Sequence, residues 1–231
     1  MSHPLDRAVW NALTGRLASH AVDESDALAV RIDPEIGVFV AVRDRSPESQ
    51  ARLTELANLY PGVSLVEHAD GPMADGLPEG AGIKARIGLV QMTADALTGS
   101  GLGDLEYEVL TDEDGPAMLA LATLTKPGPF RSRTRKLGPF IGVKQEGRLV
   151  AMAGRRLRVE GFTELSGVCT HPDYRGRGYA AALSRAVVSE ILAEGDQAFL
   201  HAFADHPATI AFYASLGFKL RAPMTYTILE D

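Results

Sequence analysis

The chain has 231 residues, of which 45% are hydrophobic and 23% charged, and its formal net charge at pH 7 is -7. This composition provides enough apolar material for a packed core and excludes a disordered, collagen-like or coiled-coil protein. The acidic balance argues against a general nucleic-acid binder, and the single cysteine, Cys169, excludes an intrachain disulfide and a cysteine-based zinc site.

In the first part of the chain, helical and extended patterns alternate. Leucine or valine recurs every fourth residue at the start, which predicts one amphipathic helix over residues 5–17. A capping serine followed by a proline and a glutamate predicts a second helix over residues 46–60. Short apolar runs predict strands at residues 38–42, 64–67 and 87–92.

A glycine-rich stretch suggests where the chain divides. Three glycines within residues 99–103 leave little to fix the backbone, so we predict a linker over residues 98–104. The linker would separate an N-terminal α/β lobe, residues 1–97, from a C-terminal domain, residues 105–231. A chain of this length fits two such units, because domains commonly have about 100 to 150 residues.

The C-terminal domain is predicted to contain six strands and three helices. The strands are expected at residues 105–110, 140–143, 149–153, 162–170, 198–203 and 224–228. One helix is expected to begin at Thr111, with Asp114 at a capping-box spacing, and the other two at residues 179–194 and 207–216. No segment has the roughly 18 to 20 apolar residues of a membrane-spanning helix, and the N-terminus lacks the apolar run of a signal peptide. We therefore expect a cytoplasmic α/β protein with no membrane partner and no nucleic-acid partner.

The segment with the most chemical information is residues 168–180, where a predicted strand leads through a glycine-rich turn into a helix. Backbone N–H groups converge at the positive end of such a helix. Gly176 and Gly178 allow a ligand to approach the backbone closely, and Arg175 and Arg177 add positive charge. The turn therefore predicts a pyrophosphate site, although these residues alone also fit an ordinary turn before a helix. Neither the P-loop pattern nor the three-glycine dinucleotide pattern is present.

Two motifs resemble the signatures of the GNAT superfamily of acyl-CoA-dependent N-acyltransferases. Residues 175–180, RGRGYA, match the R-x-x-G-x-G/A motif, and residues 208–218, ATIAFYASLGF, are similar to the A-x-x-x-[LF]-Y-x-x-x-G-F signature. The resemblance covers about residues 105–231, and the preceding part resembles more loosely the N-terminal extension of a bacterial GNAT subfamily. It implies an α/β GNAT fold, with a mixed, twisted β-sheet flanked by helices and a smaller N-terminal α/β lobe.

The resemblance also implies acetyl-CoA as the cofactor and direct transfer of its acetyl group to a primary amine. In GNAT proteins the strand before the turn separates from its neighbour and holds the pantetheine arm of coenzyme A; these positions match Val168, Cys169 and Thr170. The coenzyme pyrophosphate would bind the backbone amides of six residues, Arg175, Gly176, Arg177, Gly178, Tyr179 and Ala180. Many members have an asparagine near the pantetheine where this chain has His206, so this contact would differ.

Tyr213 matches the family tyrosine that protonates the departing thiolate, and its alternative role is packing against Phe218. Cys169 is interpreted as a small packing residue, because GNAT transfer is direct and needs no protein nucleophile. The non-catalytic alternative for the whole chain is an acyl-CoA-binding sensor or an interaction module with a GNAT fold.

Glu164 is the first candidate for the general base that takes the proton of the amine. It resembles the strand glutamate of the histone-acetylating GNAT branch, and alternation places it on the same strand face as Val168. An ordinary charged residue at a strand start is an equal alternative. His171 and His201 are weaker candidates.

Residues 126–158 contain ten basic residues and one acid, Glu146. Two interpretations are open: a site for a carboxylate-bearing acceptor or for coenzyme phosphates, and a solvated face balanced by the acidic segment 104–114. The expected partners are acetyl-CoA and a small amine or peptide acceptor, with a homodimer as an option. No metal site is expected, and the acceptor itself is not predicted.

Overall fold

The structure is a computed structural model that describes residues 3–73, 82–99 and 105–230. The strands within these residues are β1 (Ala29–Arg31), β2 (Val40–Val42), β3 (Ser64–His68), β4 (Ile83–Ala94), β5 (Glu108–Leu110), β6 (Phe140–Gln145), β7 (Arg148–Val159), β8 (Phe162–Thr170), β9 (Gln197–Phe203) and β10 (Lys219–Leu229). The α-helices are α1 (Ala8–Leu13), α2 (Pro47–Leu59), α3 (Gly115–Thr125), α4 (Tyr179–Ala193) and α5 (Pro207–Ser215).

Eight of these strands form one mixed sheet in the order β3-β10-β4-β9-β8-β7-β6-β5, and β1 and β2 form a separate pair. Neighbours in the large sheet are antiparallel except β8 and β9, which are parallel. Helices flank the sheet, with α4 packed on β7, β8 and β9. This arrangement confirms the predicted mixed α/β class.

β8 and β9 pair over only three positions, from Phe162 with Gln197 to Glu164 with Phe199. Beyond Glu164, β8 remains paired with β7 as far as Thr170 and β9 with β4 as far as Phe203. The sheet therefore opens into a fork, whose vertex is at Glu164 and whose inner edges have free backbone groups. β8 therefore separates from β9 before the glycine-rich turn, as the resemblance implied for this strand.

The N-terminal part of the chain contributes to the same sheet and the same core. β4 lies between β9 and β10, and β3 pairs with β10. Leu5 and Val9 belong to a buried cluster that also contains Leu157 and Phe199. Most of the predicted linker, residues 100–104, lies outside the described residues, and the division into two lobes stays a prediction.

The helix predicted over residues 5–17 is wrong in extent. A 3-10 helix covers Pro4–Arg7 and α1 then ends at Leu13. The Thr14 hydroxyl donates to the carbonyl of Trp10 at 2.8 Å, which occupies a carbonyl of the last turn. The following Gly15 is a poor helix former, so the chain turns away there.

In the described ranges, no helix is long and apolar enough to cross a membrane. Nor do His, Cys, Asp or Glu side chains of these ranges form a group of three that could hold a metal ion.

Candidate active site

A first cavity of about 510 Å³, the groove, opens beside the fork, between β8, the turn before α4, and α5. Nine of the ten predicted coenzyme-binding residues line it: Val168, Cys169, Thr170, Arg175, Gly176, Arg177, Gly178, Tyr179 and Ala180. Tyr213 lines the groove as well. The fold therefore brings together two motifs that are separated by about 35 residues of sequence.

The turn before α4 has the geometry of an anion site. Gly176 and Gly178 have positive φ angles of 77° and 81°, and a Cβ built on either would meet nothing within 4 Å. Among the described residues, no backbone carbonyl accepts from the N–H groups of Gly176, Arg177 or Gly178. These donors and the first turn of α4 face open space at the positive end of the helix dipole, which suits a pyrophosphate.

The wall formed by β8 also has unused hydrogen-bonding groups. Thr170 Oγ1 is buried and has no partner among the described residues. The fork leaves the β9-facing backbone groups of residues 165–170 without ladder partners. Buried polar groups are normally hydrogen-bonded, so these positions fit a polar, extended ligand such as a pantetheine arm.

Tyr213 and Cys169 have strongly shifted pKa values for one main reason. Burial raises the pKa of Tyr213 to about 12, with a smaller contribution from Cys169. Burial likewise raises the pKa of Cys169 to about 11. The phenol therefore keeps its proton at neutral pH, and the thiol is a poor nucleophile, in line with packing. The Tyr213 ring also packs edge-on against Phe218, at 5.8 Å between centroids.

A second cavity of about 530 Å³ adjoins the groove. The two share six lining residues, Thr125, Pro127, Val168, Arg175, Thr209 and Tyr213. His206 lines only the second cavity, where its exposed ring packs on Phe203 at 5.2 Å. This placement does not favour the coenzyme contact predicted for His206.

Glu164 lies at the vertex of the fork, is completely buried, and is not part of either cavity wall. Its oxygens accept two hydrogen bonds of 2.8 Å from Arg156 and one of 3.2 Å from the backbone of Leu157. Although burial alone would raise its pKa, the charge and hydrogen bonds of Arg156 and a hydrogen bond from His201 lower the pKa of Glu164 to about 2. Such a carboxylate is a poor proton acceptor, so its surroundings do not favour the predicted role of base.

His201 and His171, the weaker candidates for the base, also have polar partners in the structure. His201 Nδ1 lies 2.9 Å from Glu164 and its Nε2 lies 3.0 Å from the side-chain nitrogen of Gln91. Because a carboxylate only accepts, Nδ1 carries the proton and Nε2 accepts from the Gln91 amide. His171 is in contact with Arg148, at 2.6 Å, and lines neither cavity.

Most of the basic residues between 126 and 158 are balanced within the fold. Their carboxylate partners are Asp33 and Glu35 for Arg133, Asp112 for Arg135 and Lys136, Glu108 and Asp114 for Lys144, Glu190 and Glu194 for Arg155, and Glu164 for Arg156. Three members thus pair with the acidic segment 104–114, as one interpretation predicted. Lys126 and Arg156 instead line the second cavity.

Sequence reasoning missed the far wall of the second cavity. Phe39, Val66 and Leu89 from the N-terminal half and Tyr226 from β10 line it. The sequence around these residues indicates only that they lie in strands. They reach the cavity through pairing between distant parts of the chain, which the local sequence does not show.

The family model described as FR47-like protein matches residues 140–227. One similar solved structure is a Novosphingobium aromaticivorans protein assigned to the GNAT family as an acetyltransferase, with 40% identity, a TM-score of 0.87, and coverage of 100% of this chain and 99% of that chain. A GCN5-related N-acetyltransferase from Kribbella flavida has a TM-score of 0.68 at 14% identity, covering 99% and 96%. A GCN5-related N-acetyltransferase-like protein from Streptococcus suis has a TM-score of 0.60 at 18% identity, covering 96% and 92%. No curated protein matches the chain.

The last two structures share the fold, and the first shares the sequence as well. Its match covers essentially the whole of both chains at 40% identity. On this basis the chain belongs to the GNAT family of acyltransferases.

Proposed function

We propose that the protein is an acetyl-CoA-dependent N-acetyltransferase that acetylates a primary amine. The observation that carries this proposal is the shared wall of the two cavities, because Val168 and Tyr213 line both of them. A donor in the groove and an amine in the second cavity would meet at these residues. Acetyl-CoA, when bound, supplies a thioester carbonyl that an amine can attack.

The chain's own groups would hold the donor at two places. The N–H groups of residues 176–180 and the dipole of α4 would bind the pyrophosphate. The free backbone edge of β8 and the Thr170 hydroxyl would bind the pantetheine arm. Fixed donors of this kind lower the barrier by positioning the reactants and by stabilising charge as it develops on the carbonyl oxygen.

In a direct transfer the amine nitrogen forms a bond to the carbonyl carbon, and the carbon–sulfur bond breaks. Tyr213, which stays protonated at neutral pH, donates its proton toward the departing sulfur and regains one from solvent. The proton that the amine loses passes to solvent that reaches the second cavity. Glu164 is committed to Arg156, and His201, which lines this cavity, already accepts a hydrogen bond from Gln91. The products are an N-acetyl amine and a free thiol.

A calorimetric titration with acetyl-CoA and coenzyme A tests the binding step. Gly178→Glu places a negative side chain in the anion site and should weaken binding by at least about tenfold. Gly195→Glu is the matched control, because Gly195 also has a positive φ, 87°, and open space around its Cβ, but follows the other end of α4. We expect one site per chain in the unmodified protein and in the control.

The same samples are then assayed for thiol release with a panel of primary amines. Failure of the unmodified protein to bind acetyl-CoA would overturn the proposal. Binding without transfer to any amine would favour the alternative, a non-catalytic acyl-CoA sensor.

A further inference from the structure

The charged side chains that line the second cavity are all basic, and one of them, Arg156, pairs with Glu164 behind the wall. Lys126, Arg156 and Arg175 line it, and among the described residues no aspartate or glutamate does. Within those same ranges neither Lys126 nor Arg175 is paired with a carboxylate. A polyamine, an aminoglycoside or a lysine-rich peptide would bring further positive charge into this field, whereas an acceptor with a negative group would be attracted.

Arg156 has a free edge that lies in this cavity. Its Nε and Nη2 groups donate to the two oxygens of Glu164, at 2.8 Å each. Nη1 has no hydrogen-bond partner in the described part of the chain, and a guanidinium has five N–H donors in all. The edge formed by Nη1 and the second hydrogen of Nη2 is therefore available to a carboxylate in the two-pronged geometry that arginine favours.

A chain of buried contacts fixes the orientation of this edge. Glu164 is held by His201, whose other ring nitrogen accepts from Gln91. Gln91 in turn donates to the carbonyl of Leu5 at 3.1 Å and accepts from Arg221. The guanidinium of Arg156 also stacks on the ring of Phe39, 4.9 Å from its centroid. An arginine held in place before the ligand arrives loses little freedom on binding, which favours affinity and selectivity.

The wall of the second cavity also contains five large apolar or aromatic side chains. They are Phe39, Val66, Leu89, Phe203 and Tyr226, and they lie beside polar residues such as His201 and Thr209. The cavity's volume of about 530 Å³ lies within the range of small-molecule sites, which runs from about 300 to 1,000 Å³. The five apolar and aromatic side chains suit an acceptor that has an aliphatic or aromatic part.

We propose that the acceptor is an amino carboxylate with an apolar side chain. Its carboxylate binds the free edge of Arg156, its apolar part lies against Phe39 and Tyr226, and its amine points toward Val168 and Tyr213. The inference rests on the proposed function and names the acceptor class of the same site. The product retains the carboxylate and carries the acetyl group on nitrogen.

The first experiment compares two amino acids with their amides, at a pH at which the amines of both are substantially deprotonated. Leucine and phenylalanine are assayed beside leucinamide and phenylalaninamide, and spermidine and kanamycin serve as polycationic acceptors. We expect kcat/KM to be at least about 100-fold higher for the acids than for their amides, because the amides leave the Arg156 edge without a carboxylate. Spermidine and kanamycin should be the poorest acceptors.

The second experiment changes the arginine. Arg156→Lys keeps the charge and one contact to Glu164 but loses the two-pronged edge. KM for the preferred acid should rise by about 30-fold or more, with kcat and the KM for the amide little changed. Arg158→Lys is the matched control: it is two residues away, lies 3.9 Å from Glu194, and lines neither cavity.

Coenzyme binding and the melting temperature of both variants are measured on the same samples, so that a folding defect is separated from a loss of recognition. Equal kcat/KM for acids and amides, preference for spermidine or kanamycin, or no binding of any acid to the complex with coenzyme A would each overturn the acceptor class while leaving the proposed function intact. Failure to bind acetyl-CoA would instead overturn the proposed function itself.

Discussion

Tyr213 lines both the groove and the second cavity, and burial raises its pKa to about 12. We predict that Tyr213→Phe lowers kcat by about 100-fold or more, because a phenyl ring cannot protonate the departing sulfur. Coenzyme affinity should change little, since the ring itself is retained. Tyr60→Phe, which removes a hydroxyl that donates to Glu24 outside both cavities, is the control for steady-state kinetics and calorimetry. Equal losses of kcat in both variants would contradict the assigned role.

Glu164 contributes to stability through its buried pair with Arg156. A pKa lowered from 4.5 to about 2 means that the contribution is complete above pH 4.5 and is lost as the pH falls toward 2. Glu164→Gln leaves Arg156 without its buried partner, and we predict a loss of about 3 to 5 kcal/mol in the free energy of unfolding at pH 7. The difference from the unmodified protein should shrink below pH 4.5, as measured by denaturant unfolding.

The control for this variant is Glu160→Gln, an exposed position in the β7–β8 turn, which should change stability by less than about 0.5 kcal/mol. Steady-state kinetics of Glu164→Gln distinguish a residue that positions Arg156 from a base that takes the proton of the amine. We expect Glu164→Gln to raise KM for acids through Arg156 and to leave kcat for amides within about tenfold. Loss of turnover with every acceptor would restore Glu164 as the base.

The turn before α4 offers a second matched pair. Gly176 and Gly147 both have a φ angle of 77°, and neither has an atom within 4 Å of a built Cβ. Gly176→Ala and Gly147→Ala should therefore cost the same stability, about 1 to 2 kcal/mol from the left-handed backbone. Only Gly176→Ala should weaken acetyl-CoA binding, since Gly147, in the β6–β7 turn, does not line the groove. Unchanged affinity in Gly176→Ala would remove this turn from the coenzyme site.

Elements with strong local signals were predictable. The bounds of β8 agree with the predicted strand, and α2 begins after the predicted cap Ser46, whose hydroxyl accepts from the backbone of Ser49. The nine groove residues predicted to bind the coenzyme could also be identified from the sequence, because each belongs to a short continuous motif.

The role of Arg156 was not predictable from its position in a run of basic residues. β7 has an irregular register against β8 between Arg155 and Arg158. This irregularity changes which side chains share a face, so simple alternation does not say which arginine turns toward the cavity. Arg155 reaches Glu190 and Glu194, whereas Arg156 reaches Glu164 and the second cavity.

For the molecule as a whole, the N-terminal part is built into the sheet. Met92 and Ala94 of β4 share a buried cluster with Leu200 and Phe218. We predict that a fragment of residues 105–231 does not unfold cooperatively and does not bind acetyl-CoA, because it lacks the strand between β9 and β10. Circular dichroism during heating and calorimetry measure these two properties.

Cleavage is the companion test. A protease site inserted within residues 98–104 of the full chain should give two pieces that remain together in gel filtration and keep coenzyme binding. A fragment of residues 105–231 that folds and binds acetyl-CoA by itself would show that the predicted boundary separates independent units. The sequence patterns could not decide whether the two parts fold independently. They predict where strands lie but not which distant strands pair with each other.

β10 is synthesised after every other strand, yet it lies between β3 and β4. While the ribosome is still making residues 219–229, both earlier strands keep an unpaired edge where β10 belongs, and such edges invite association with other chains. The nascent protein therefore lacks the second strand from one edge of its sheet until translation of this region ends, and β3 has no strand to pair with until then. We expect its yield in cells to depend on chaperones and growth temperature, and its refolding to be slow, because the last pairings join the most distant parts of the chain.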